Sequence, residues 1–145
     1  MRIRLVVALA FALALTAGSP ARAHDPGLGA AWLRLEAGAL AARVELRGVD
    51  DASHAAGADV LDVRVDGRRL APTRVERSAD PDGAVRVLLR YDVVGGRELQ
   101  VAPALVRARP GHRTFVHVAR ADGAPIAEAL LDPSAPALDV PLADG

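Results

Sequence analysis

Cysteine is absent from all 145 residues, so no disulfide constrains the unfolded chain and no thiolate is available as nucleophile or metal ligand. Stability must come from packing. Lysine is absent too: all 18 basic side chains are arginines, balanced by 18 acids to a formal net charge of +0. That balance, with no basic run, argues against nucleic-acid partners, which need clustered cations to displace phosphate counterions. Aromatic residues make up 3% of the chain, with one Trp and one Tyr, too few for stacked platforms that bind sugars or single strands. The core is left to Val, Leu and Ala.

Long apolar runs are missing except at the start. Residues 5–18 are nearly all apolar, Arg2 and Arg4 precede them, and Ala21-Arg22-Ala23 follows as a small-x-small cleavage site. Residues 1–23 therefore read as a secretory signal peptide. The run is shorter than the roughly 20 residues that a helix needs to cross a bilayer core of about 30 Å. Cleavage leaves residues 24–145, enough for a single domain with its own core. It also removes three arginines and no acid, which moves the charge from 0 to −3. With no Cys to acylate, the mature chain is expected to be periplasmic or secreted, without direct membrane insertion.

What remains alternates. Leu33 and Leu35 alternate with Arg34 and Glu36; Ala42, Val44 and Leu46 alternate with Arg43, Glu45 and Arg47. Period two predicts half-buried strands, where a helix would need a 3.6-residue stripe. The same alternation recurs at 60–65, 73–77, 85–93, 98–106, 113–120, 125–131 and 138–142, and Arg69 to Arg77 is expected to run as one strand after a tight turn. Gly38, Asp66-Gly67, Asp80-Pro81-Asp82-Gly83, Gly95-Gly96, Arg109-Pro110-Gly111 and Asp122-Gly123 punctuate it with turn chemistry. Eight or nine short strands at this spacing predict an all-β fold, an immunoglobulin-like β-sandwich. Trp32 is expected to anchor its core.

Chemistry is sparse. No G-x-S-x-G elbow or phosphate loop is present, and Ser53-His54 beside Asp50-Asp51 are chain neighbours whose side chains diverge. Acid pairs at Asp50-Asp51 and at Asp80 with Asp82 are better explained by turns. The chain is therefore read as non-enzymatic. Four histidines remain, at 24, 54, 112 and 117. Cleavage after Ala23 would leave His24 with a free α-amine beside its imidazole. One more imidazole, from His112 or His117, would complete a nitrogen site suited to copper or nickel. Against this, His112 reads as bonding a turn carbonyl, His117 as a solvated strand residue opposite Val116 and Val118, and His54 as a loop residue.

Two stretches carry a family resemblance: AHDPGLGAAWLRLEAGALAARVEL near the start and PGHRTFVHVARADGAPIAEALLDPSAPALDV near the end. They resemble the extracytoplasmic region ahead of the membrane helices in HupE/UreJ-like proteins, a family associated with hydrogenase or urease accessory function and nickel handling. These residues contain no histidine-bearing membrane helices, so the resemblance implies an accessory exported β-domain and not nickel transport. The expected function is an exported accessory or interaction domain working with a membrane-protein partner and needing no cofactor. The alternative is a small periplasmic copper or nickel binder using His24. Intact mass of the exported protein should place His24 first; a soluble product retaining residues 1–23 would overturn the export reading.

Overall fold

Strands that alternate apolar and charged residues stay folded only if a second layer covers the apolar face. In the computed structural model, which describes residues 27–48 and 57–142, two sheets cover one another. In chain order the strands are β1 Leu28–Glu36, β2 Ala39–Leu46, β3 Leu61–Val65, β4 Arg68–Arg69 and β5 Arg74–Ala79. Then come β6 Val85–Asp92, β7 Glu98–Pro103, a short helix α1 Ala104–Ala108, β8 Arg113–Arg120, β9 Pro125–Leu131 and β10 Leu138–Pro141. The larger sheet has the order β5-β6-β2-β1-β8-β9 and the smaller β10-β7-β3-β4. All pairings are antiparallel except β1 with β8, which is parallel.

The expected all-β sandwich is the observed fold. Its core lies between the sheets: Leu33, Leu40, Val44, Val87 and Val116 from one side face Leu61, Val63, Leu99, Val101 and Val140 from the other. Val116 and Val118 are fully buried, and His117 lies on the opposite face of β8, as the alternation predicts. At about 25 cal/mol per Å² of apolar surface removed from water, such side chains are the main source of stability.

The described residues form ten strands rather than eight or nine because one expected strand is split, and a second expected strand is shortened without changing that count. The stretch expected as one strand from Arg69 to Arg77 is split: β4 ends at Arg69, Pro72 follows without a backbone N–H, and the chain crosses to the other sheet as β5. The strand expected over 98–106 stops at Pro103, and α1 then buries Leu105 and Val106 in the same core.

Two turns decide how the smaller sheet closes. Asp66 and Gly67 both have positive φ, 48° and 79°, which is the backbone of a tight two-residue hairpin. The Asp66 carboxylate accepts hydrogen bonds from the backbone N–H of Arg97 at 2.9 Å and Glu98 at 3.0 Å, which hold it below the usual carboxylate range. This turn is thereby tied to the start of β7. Gly96 passes so near that a Cβ on it would sit 2.2 Å from Val65 Cγ1, so only glycine fits.

Tyr91, the only tyrosine, is fully buried on the core side of β6. Burial pushes its phenol up from the ordinary 10.0 to about 12. The unfolded chain therefore releases this proton first as pH rises. The resulting stabilisation is intact below about pH 10 and is lost as pH climbs through 12. Tyrosinate absorbance should accordingly appear together with unfolding in that window; a midpoint near 10 with the fold intact would show that Tyr91 is not buried.

Candidate functional site

The parity that puts Ala31, Leu33 and Leu35 towards the core sends Trp32, Arg34 and Glu36 to the outward face of the six-stranded sheet. Trp32 is therefore not the core anchor expected of it. Two strand neighbours with charged side chains share its face, and burying that face would have desolvated both charges. Antiparallel and parallel register then line up Glu76, Leu88, Arg43, Trp32, His117 and Glu128 in one row across all six strands. The next row places Arg74, Arg90, Ala41, Arg34 and Ala119 side by side.

Between the rows is an open cavity of about 600 Å³. Its floor is low because Ala41 and Ala119 present only methyl groups. On one wall the Arg43 guanidinium stacks over the Trp32 ring, 4.4 Å from the ring centre. On the other, Glu36 draws Arg34 and Arg90 together, at 3.2 and 3.0 Å. Arg74 is paired with Glu76 at the β5 end. Exposed pairs of this kind add less than about 1 kcal/mol each to stability, so their main consequence is to set where the guanidinium forks point.

No family model matches the chain, and no curated protein matches it.

The two histidines among the described residues, His112 and His117, lie on opposite sides of the sheet. His117 lies at the end of the cavity, where its Nδ1–H donates to Glu128 Oε1 at 2.5 Å. His112 is 2% exposed, ahead of β8 and on its core side, with Nε2 3.3 Å from Thr114 Oγ1. Gly29 packs against both groups: a Cβ there would come within 3.3 Å of each. Five residues of strand rise about 16 Å, so one metal ion cannot reach two imidazoles that also face opposite ways. His24 and His54 lie outside the described residues. Among the described residues no three His, Asp or Glu side chains converge as a metal site, and no helix is long and apolar enough to cross a membrane.

The alternation alone signalled that the arginines would be exposed. Their convergence with Trp32 had no signal in the sequence, because it depends on the register of four strands. The cavity lining supplies guanidinium donors, an aromatic ring, the Glu76 carboxylate, the His117 imidazole and small apolar patches. Since Trp32 is the only tryptophan, its emission reports on this surface alone. Replacing Arg43 by Ala should red-shift that emission and cost about 1 kcal/mol or less, the worth of an exposed cation–π contact. Unchanged emission would mean that Arg43 does not cover the ring in solution.

Proposed function

We propose that this chain is an exported, non-enzymatic accessory domain that docks on a membrane-protein partner through the outward face of its six-stranded sheet. The observation that carries the reading is the Trp32–Arg43 stack beside a 600 Å³ depression in the middle of that face. Trp, Tyr and Arg are enriched at the residues that dominate protein–protein binding: Trp32 brings a large contact area with two rotatable bonds, and Arg43 brings a planar donor fork already stacked on that ring. Export follows from the leader at residues 1–23. A membrane-embedded partner follows from the resemblance to domains that precede membrane helices in HupE/UreJ-like proteins.

A photoreactive phenylalanine analogue at Ala41, in the floor of the depression, should cross-link in the cells of origin to one integral membrane protein identifiable by mass spectrometry. The same analogue at Val94, 84% exposed and in the β6–β7 loop, should not. No adduct at position 41, or equal adducts at both positions, would overturn the docking face.

A further inference from the structure

We propose, resting on that docking face, that the depression selects a short extended segment of the partner rich in Asp or Glu, with Arg43 as its principal contact. Charge complementarity is the argument. Across the whole chain acids and bases balance, yet the lining sets Arg34, Arg43, Arg74 and Arg90 against one carboxylate, Glu76. The rim carboxylates are divided: Glu36 serves both Arg34 and Arg90, while Glu45 lies 3.8 Å from Arg43 and 3.6 Å from Arg86. A guanidinium carries five N–H donors, and a single shared carboxylate uses few of them. Arg43 has the loosest pairing of the four, because 3.8 Å is beyond hydrogen-bond reach, and Trp32 holds its plane in place. A planar fork held in advance is the partner that a carboxylate binds bidentately.

Shape agrees with an extended chain. From Leu88 on β6 to His117 on β8 the depression crosses three strand spacings, about 14 Å, the length of roughly four extended residues. Alanine at positions 41 and 119 leaves room for a backbone between walls made by longer side chains. A flat anionic bilayer would meet only the rim.

The test uses the processed protein and a fluorescein-labelled Glu-Glu-Ala-Glu-Glu peptide, followed by anisotropy and by Trp32 emission. The expected result is micromolar binding that weakens with salt and exceeds that of a Gln-for-Glu analogue. Arg43→Gln should lose roughly tenfold or more in affinity, as expected when a charge-assisted hydrogen-bond pair is removed. Arg107→Gln, on the exposed side of α1, should lose none. Equal binding of the Gln analogue, equal loss in both variants, or equal competition by inorganic phosphate or phosphatidylglycerol vesicles would overturn the acidic-segment proposal. A cross-link from position 41 with no peptide selectivity would overturn this inference and leave the docking face; failure of both would remove both.

Discussion

The parallel pairing of β1 with β8 is the constraint on which the rest of this molecule depends. It joins Leu28 to Arg113, 85 positions along the chain, and continues residue by residue to Leu35 and Arg120. Without it the larger sheet would be two separate pieces, β5-β6-β2-β1 and the β8-β9 hairpin. The pairing must be made across a long loop whose closure entropy is lost before any ladder bond forms. What offsets that loss is the burial of Ala31 and Leu33 on one strand and Val116 and Val118 on the other under a common cover.

That cover is built from small aliphatic side chains, which limits how the sandwich can be held together. With neither disulfides nor a large aromatic cluster, close packing of Val and Leu against Val and Leu has to suffice, and two backbone devices assist it. Pro103 ends β7 so that α1 adds Leu105 and Val106 to the core. Asp66 anchors the β3–β4 turn to the backbone of Arg97 and Glu98, while Gly96 lets the chain pass close to Val65. Both devices act on the smaller sheet, which has only one long-range pairing on each side of β7 to hold it.

The outward face of the larger sheet obeys different physics. Its arginines are too hydrated to be buried and too close together to be independent, so they share carboxylates in pairs. The result is a surface whose forks are oriented by its own carboxylates, beside the Trp32 ring on which Arg43 stacks. Preorganisation of this kind lowers the entropy lost on binding and favours a planar anionic group over a diffuse charge. His117 is part of the same surface through Glu128, whereas His112 belongs to the core side with Thr114.

By itself the sequence determined the fold class, the turns and the facing of individual strands, because period two and turn dihedrals are local properties. Asp66-Gly67, Asp122-Gly123 and the inward Val116 and Val118 were all legible in this way. It also determined what chemistry is missing, since absent thiols and absent elbows need no structure to be counted. The facing of β1 was legible as well: Trp32 shares the parity of Arg34 and Glu36, and that parity turned it outward against the expectation from its size. Two matters were decided only by tertiary structure. The division of Arg69 to Arg77 between two sheets depended on where Pro72 interrupts hydrogen bonding. Finally, the meeting of Trp32, Arg43, Arg34 and Arg90 depended on register across strands distant in sequence, and register is set by the global burial of one face, which no local pattern encodes.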